Sequence, residues 1–100
     1  MAEMNRQLPR VLQKNMRDPR LNYQTGRFAD SARVVTVNET TQGHPSYAYT
    51  YERDPYQVFE QGIGDPRWAT TERDPRKLID MSIREIAAKY AIGRFYTRRV

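Results

Sequence analysis

Apolar and polar positions follow their most regular pattern near the C-terminal end of the chain. Apolar side chains recur there every three or four residues, at Ile79, Ile83, Ile86 and Tyr90. This spacing places them on one side of a helix. Asp74 and Pro75 directly precede the pattern, and aspartate is a good N-cap while proline suits the first helical position. The sequence therefore predicts a helix over residues 75–90 that packs onto a core.

Two segments in the middle of the chain have the composition of β-strands. Residues 33–38 are rich in β-branched side chains, and residues 47–51 alternate tyrosine with small residues. The polar residues 39–46 between them include Gly43 and Pro45, which favour turns. We expect two antiparallel strands joined by a long exposed connection, which becomes ordered when a partner covers it.

Residues 4–16 show a weaker helical pattern, with one apolar side formed by Leu8, Val11, Leu12 and Met16. Pro9 lacks the backbone N–H that the interior of a helix needs. A helix in this segment is therefore expected to start near Leu8. The alternative is a loosely attached arm.

Residues 55–73 give no single pattern. The first part, residues 55–62, predicts either a short helix or a further strand, and the pattern does not separate the two. Residues 62–73 predict an irregular connection, because glycine and proline recur through them. Trp68 is expected to anchor this connection onto the core.

These elements together predict an α+β fold, with a small antiparallel β-sheet packed against a C-terminal α-helix and a less certain N-terminal helix. One hundred residues suffice for one small core. We divide the chain into an N-terminal arm or helix at residues 1–24, an α+β core domain at residues 25–92 and a C-terminal arm at residues 93–100.

The composition argues against several classes of site. No cysteine is present, which excludes disulfides and thiolate metal sites. His44 is the single histidine, and its place beside Gly43 and Pro45 predicts an exposed loop residue rather than a metal ligand. No apolar segment approaches the roughly 20 residues of a membrane span. We expect a soluble protein with no metal, no cofactor and no membrane contact.

No catalytic residues are predicted. The carboxylates that could form an acid–base pair each lie near an arginine or at an expected helix cap, namely Asp54, Glu60, Asp65, Glu72 and Asp74. The serines lack a neighbouring base, and the glycines form no phosphate-binding loop. An enzyme is therefore the least favoured class.

The charge pattern favours a protein partner. The net charge is +5, and fourteen arginines contribute to it with only three lysines. Arginine and the seven tyrosines are residue types enriched at protein interfaces. Twelve acidic residues are interleaved with the basic ones, whereas a surface that follows nucleic-acid phosphates more often has a separate basic stripe. A protein interface is the preferred interpretation, and nucleic-acid binding remains the alternative.

The candidate interface residues lie in two segments. The first follows the predicted helix and combines basic and aromatic side chains, at Arg94, Phe95, Tyr96, Arg98 and Arg99. Because the aromatic rings are costly to expose, we expect this arm to dock on a neighbouring subunit, where it could add a strand to a sheet. The second is the alternating strand, with Tyr47, Tyr49 and Tyr51.

One motif precedes the first predicted strand, with Thr25, Gly26, Arg27, Phe28 and Ser31 in the order Thr-Gly-Arg-Phe-Ala-Asp-Ser. Read from the residues alone, it is a capped helical turn that places Phe28 in the core. The motif resembles the "TGxLxxSI" signature of tail-completion and minor-tail proteins of tailed bacteriophages. A hairpin, the segment 56–62 and a final helix follow in the order typical of that family, and the resemblance extends over residues 25–88.

The resemblance implies a structural protein of the phage neck or upper tail. A head-to-tail connector of this kind would form a homo-oligomeric ring and contact other neck or tail proteins. It would be a virion component assembled in the host cytoplasm. The alternative that the residues leave open is a small basic nucleic-acid-binding protein.

Overall fold

A computed structural model describes residues 2–17, 26–90 and 92–100. The elements follow one another as α1 (Ala2–Asn15), α2 (Arg27–Ser31), β1 (Arg33–Glu39), β2 (Pro45–Thr50), α3 (Arg53–Tyr56), a 3₁₀ turn (Gln57–Phe59), α4 (Pro75–Ala88) and β3 (Tyr96–Arg99). The predicted α+β class is confirmed. The predicted C-terminal helix is also confirmed and ends two residues earlier than expected.

The three strands form one mixed sheet in the order β1-β2-β3. Strands β1 and β2 are antiparallel, as predicted, with Val34 opposite Tyr49 and a bulge between Val34 and Thr36. Strand β3 runs parallel to β2, with Thr97 opposite Tyr47. The sheet is therefore mixed rather than antiparallel, because the long connection through α4 returns the chain in the direction of β2.

The core lies between the two long helices and one face of the sheet. Its fully buried apolar residues come from α1, α2, β1 and α4 and include Leu8, Leu12, Phe28, Val34, Ile79, Ile83 and Ile86. The helical spacing of the isoleucines in α4 gives this helix one apolar side, as the sequence pattern predicts. Helix α1 packs alongside α4, and Lys14 reaches Glu85 across their exposed sides at 2.5 Å.

Helix α1 begins six residues before the expected start. It includes Pro9 in its interior, although proline removes one helical hydrogen bond. Met4, Leu8 and Leu12 are all buried on one side, so packing against α4 and α2 offsets this loss. The side chain of Asn5 also binds both backbone groups of Val34 at 2.7 and 2.9 Å, which fixes the first turns of the helix to β1.

The β1–β2 connection is shorter than predicted and closes on itself. Thr40 and His44 pair through the Thr40 N–H and the His44 carbonyl at 2.8 Å, and Gly43 adopts a φ of 84°. A left-handed conformation of this kind favours glycine. The connection is therefore an ordered turn within the chain, not a loop that needs a partner to order it.

The segment 60–73, which follows the 3₁₀ turn, forms a compact irregular loop. A Cβ added to Gly64 would lie 2.1 Å from the Val58 carbonyl oxygen, so the backbone can pass there only with glycine. The Asp65 side chain accepts a hydrogen bond from the Arg67 N–H at 2.9 Å and holds the next turn. Trp68 was expected to anchor this loop onto the core, but its side chain is 48% exposed.

The end of the chain belongs to the same sheet. Phe95 is buried with its ring 5.5 Å from that of Tyr47, and residues 96–99 pair with β2. The structure therefore places this segment within the fold, where the sequence predicted an arm beyond residue 92 that docks on a neighbouring subunit. The apolar surface of Phe95 explains the difference, because the core of the chain itself can bury that ring.

Candidate assembly site

A fully buried carboxylate, that of Glu60, lies beneath one edge of the sheet directly after the 3₁₀ turn. Its Oε2 atom accepts a hydrogen bond from the Tyr51 hydroxyl and lies 2.6 Å from Nε of Arg99. Its Oε1 atom lies 3.8 Å from Nε of Arg76. Three separate elements thus bring a phenol and two guanidinium groups to one carboxylate.

The pairing leaves two polar atoms without a hydrogen bond. Among the described residues, neither Oε1 of Glu60 nor Nε of Arg99 has a hydrogen-bond partner. The Nε atom of Arg99 lies close to the Glu60 oxygen, but its N–H bond does not point at that oxygen. The contact is therefore an ion pair rather than a directed hydrogen bond. A buried carboxylate depends on such a partner, because an isolated buried charge is strongly unfavourable.

Asp74 extends this network and caps α4. Its side chain accepts hydrogen bonds from the backbone N–H of Arg76 and of Gln61, both at 3.0 Å. Arg76 also donates from its guanidinium to the same carboxylate at 2.8 Å. Burial disfavours the ionised form of Asp74, but these hydrogen bonds together outweigh burial and hold its pKa below the usual value. The predicted cap at the start of the helix is confirmed.

Two tyrosines of the predicted interface set are part of this network instead. The Tyr49 hydroxyl donates to the Arg76 carbonyl oxygen at 3.3 Å, and the Tyr51 hydroxyl donates to Glu60. Burial raises the pKa of both hydroxyls, and the hydrogen bond to Glu60 raises that of Tyr51 further. Both therefore remain neutral donors near pH 7.

A surface groove of about 570 Å³ lies above this network, between β3 and the first turns of α4. Four cationic side chains line it, those of Arg76, Lys77, Arg98 and Arg99. Its other lining residues are polar or acidic side chains together with Tyr49. This combination suits a polar, charged partner surface better than an apolar ligand. We call this feature the β3 groove.

The structure separates the predicted interface residues into two groups. Arg94, Tyr96 and Arg98 are exposed, and Tyr96 has 42% of its surface accessible. The buried or half-buried members are Tyr47, Tyr49, Tyr51, Phe95 and Arg99. The exposed residues can contact a partner directly, and half-buried Arg99 also lines the β3 groove, whereas the buried members contribute to the fold.

The motif residues form the turn that the sequence predicts. Gly26 is left-handed with a φ of 81°, and its carbonyl oxygen accepts a hydrogen bond from the Asp30 N–H at 2.9 Å. Phe28 is buried, and the Ser31 hydroxyl both donates to the Phe28 carbonyl oxygen and accepts from the Glu52 N–H. The motif thus joins α2 to the end of β2.

Of the other two motif residues, the structure describes Arg27 but not Thr25. Arg27 forms an exposed ion pair with Glu52 at 2.5 Å, which adds a second link between α2 and the residues after β2. Thr25, the first residue of the motif, lies outside the described residues.

Sequence reasoning missed Glu60 as the centre of this site. The sequence places it among several carboxylates that lie near an arginine or at an expected helix cap, and its two neighbours in the chain are Phe59 and Gln61. Its partners Arg76 and Arg99 are far away along the chain, so no local spacing identifies them. A charged residue inside a segment with Tyr56, Val58 and Phe59 was the one available signal.

Neither a metal-binding cluster nor a membrane-spanning helix occurs in the part of the chain that the structure describes. Residues 2–17, 26–90 and 92–100 contain no group of three or more histidine, cysteine, aspartate or glutamate side chains that could hold a metal ion. Within the same residues, none of the helices is both long enough and apolar enough to cross a membrane.

Comparison with known proteins gives one match. No curated protein and no solved structure matches the chain. A family model, that of the bacteriophage T5 tail completion protein p143, matches residues 4–100. The match spans both long helices, the motif, the sheet and the β3 groove, and it confirms the resemblance to phage tail-completion proteins. The chain therefore belongs to the family of the bacteriophage T5 tail completion protein p143.

Proposed function

We propose that this chain completes a phage tail by assembling, with copies of itself and with other tail proteins, into a ring at the joint between tail and head. Membership in a tail completion family supports the structural role in the tail. The ring goes beyond that membership and is argued from the surface of the chain, whereas its place at the joint is what the resemblance to head-to-tail connector proteins implies.

The observation that carries the proposal is the amount of apolar surface exposed by so small a chain. Among the described residues the large apolar side chains that are more than a third exposed are Val37, Val58, Ile63, Trp68, Tyr90, Tyr96 and Val100. Ile63 and Trp68 lie on the compact irregular loop that follows α3 in the chain, and their side chains are 56% and 48% exposed. Tryptophan and tyrosine are enriched among the residues that dominate binding at protein interfaces. Burial against other subunits would stabilise the chain as well as the assembly.

The sheet offers two different edges, as the repeating contact of a ring requires. Its two edges are different strands, β1 and β3, since β2 lies between them. A contact between the β1 edge of one copy and the β3 edge of the next would use two different surfaces. Contacts of that kind repeat from copy to copy, and they generate a closed ring when the rotation between copies closes.

The arginines favour this role over the nucleic-acid alternative. Several pair with carboxylates of the same chain, including Arg6, Arg27, Arg67, Arg76, Arg84 and Arg99. These pairs neutralise part of the positive charge of the chain. A continuous basic stripe, the usual feature of a phosphate-binding surface, would need more of these arginines to be free.

The proposal is tested by the mass and shape of the purified protein. We expect native mass spectrometry to show a multiple of the 11.8 kDa subunit and negative-stain micrographs to show closed rings. A monomer at all concentrations that binds short DNA with strong salt dependence would contradict the proposal and favour the alternative. Gold labelling of a tagged copy in intact particles would then show whether the label lies at the joint between head and tail.

A further inference from the structure

The β3 groove has more free hydrogen-bond donors than free acceptors. Lys77 and Arg98 are exposed, and neither forms an ion pair with any described residue. The two carboxylates of the groove are already occupied. Asp74 binds Arg76, and Asp80 accepts hydrogen bonds from the side chains of Arg84 and Thr97. An incoming carboxylate would therefore meet unneutralised cations.

The floor of the groove is also incompletely satisfied. Arg99 has a side chain only 15% exposed and forms its single ion pair, among the described residues, through Nε to the fully buried Glu60. The Nε atom of Arg99 lacks a directed hydrogen bond, and the Arg99 side chain lines the groove next to Arg98. Because Glu60 fixes the guanidinium in place, its remaining N–H groups present pre-oriented donors to an oxygen acid.

We propose that the β3 groove binds a carboxylate from a second copy of this chain, with Lys77, Arg98 and Arg99 as the donors and Glu39 as the incoming group. This inference rests on the self-assembly proposed above and names the contact that would hold neighbouring copies together. Arginine forks bind carboxylates through two parallel hydrogen bonds, which fixes orientation as well as charge.

Glu39 is favoured among the carboxylates that the described chain leaves unpaired. Those that are exposed and form no ion pair with a described residue are Asp30, Glu39, Asp54 and Glu72. Only Glu39 lies on a sheet edge, as the last residue of β1. The closed turn that follows holds it in place, because Thr40 and His44 pair there. A contact between the two sheet edges of neighbouring copies would bring it toward the groove.

The groove is out of reach of Glu39 in the same chain. Glu39 pairs with Pro45 at one end of β2, whereas Arg99 pairs with Tyr49 four positions further along. These positions are about 13 Å apart along the strand, and β1 and β3 are separated by two strand spacings of about 5 Å each. A glutamate side chain does not span that distance, so the complementary charges can meet only between copies.

The test is a charge reversal with a matched control. The double variant Lys77→Glu/Arg98→Glu changes two exposed residues of the groove and spares Arg99, which the fold needs. The control Lys89→Glu/Arg53→Glu makes the same charge change at the other end of α4 and at α3, away from the groove. We expect the groove variant to weaken assembly at least about tenfold, because like charges would then face each other, while the control assembles like the original chain.

A third variant tests the partner residue. Glu39→Lys combined with Lys77→Glu/Arg98→Glu reverses both sides of the contact, so rings should form again. Sedimentation velocity at several concentrations measures all three proteins, and circular dichroism verifies that each is folded. Equal assembly of the groove and control variants would overturn the groove as the binding site. Failure of the triple variant to recover would overturn Glu39 as its ligand.

The inference and the proposed function can fail separately. If the groove variant assembles normally, the inference is wrong while the ring remains. If the original chain is monomeric at every concentration, the proposed ring is wrong, and a synthetic peptide of residues 36–47 then tests the groove by NMR. Amide shifts at Lys77 and Thr97 that are lost when the peptide carries glutamine in place of Glu39 would support the groove. Equal shifts with both peptides would overturn it.

Discussion

The Glu60 carboxylate and the Arg99 guanidinium form an ion pair at 2.6 Å that ties the last strand to the 3₁₀ turn before the irregular loop. Strand β3 has only four residues and pairs with a single neighbour. The ion pair and the buried ring of Phe95 therefore carry much of what holds this strand against the domain. Both contacts lie in the segment that borders the β3 groove, so the residues that hold this strand lie beside the surface proposed for assembly.

Replacing Arg99 should destabilise the fold. Arg99→Ala leaves the Glu60 carboxylate fully buried, with Arg76 at 3.8 Å as its nearest cation among the described residues. We expect the free energy of unfolding to fall by about 3 kcal/mol, the cost of leaving a buried charge without its partner. The matched control is Arg98→Ala, which removes an exposed guanidinium and should change stability by less than about 0.5 kcal/mol. Urea unfolding of both variants makes the comparison, and equal stabilities would show that the ion pair contributes nothing.

Removal of residues 95–100 should unfold or strongly weaken the domain. The truncation deletes β3, exposes the cavity of Phe95 and leaves Glu60 without Arg99. Removal of Val100 alone is the control, since it deletes one backbone hydrogen bond to Tyr49. Circular dichroism and sedimentation should show loss of cooperative unfolding for the long truncation alone. A long truncation that stays folded but fails to assemble would instead support the separate arm that the sequence suggested.

Phe28 should be essential for stability. Its ring is buried, with the rings of Tyr56 and Tyr51 at 5.0 and 5.4 Å in edge-on orientations. Phe28→Ala should lower the free energy of unfolding by about 3–5 kcal/mol, because it removes a buried ring and leaves a cavity. Phe28→Leu, the residue usual in the family signature, keeps much of the apolar volume and should therefore cost less than the alanine variant. A thermal melt of the alanine variant that matches the original chain would rule out the packing role of the motif.

Stability should fall in acid partly through Asp74. Because hydrogen bonds lower the pKa of its carboxyl in the folded chain, ionised Asp74 stabilises the fold above the unfolded value of about 4. That contribution is lost as the pH falls through the folded value. Asp74→Asn keeps a good N-cap but removes the charge, so it should cost about 1–3 kcal/mol at pH 6 and progressively less toward pH 3. Urea titrations at both pH values test the prediction, and a pH-independent cost would contradict it.

The sequence by itself determined the elements whose patterns are local. Helix α4 follows from the spacing of Ile79, Ile83 and Ile86 behind the Asp74–Pro75 cap, because a helix with a period of 3.6 residues brings those side chains together wherever it packs. Strands β1 and β2 follow from their β-branched and aromatic composition. The motif around Phe28 and the order of the elements that follow it together indicated the family, which the family model confirms.

Only the tertiary structure decided the features that depend on distant residues. Pro9 argues against a long helix α1, and burial against α4 overrides it. The basic and aromatic end of the chain does not indicate whether its own core or another subunit buries Phe95, since both would remove the ring from water. The local sequence shows only that Glu60 is a charge within an apolar segment, because the partners that make its burial tolerable, Tyr51, Arg76 and Arg99, converge from three other parts of the chain.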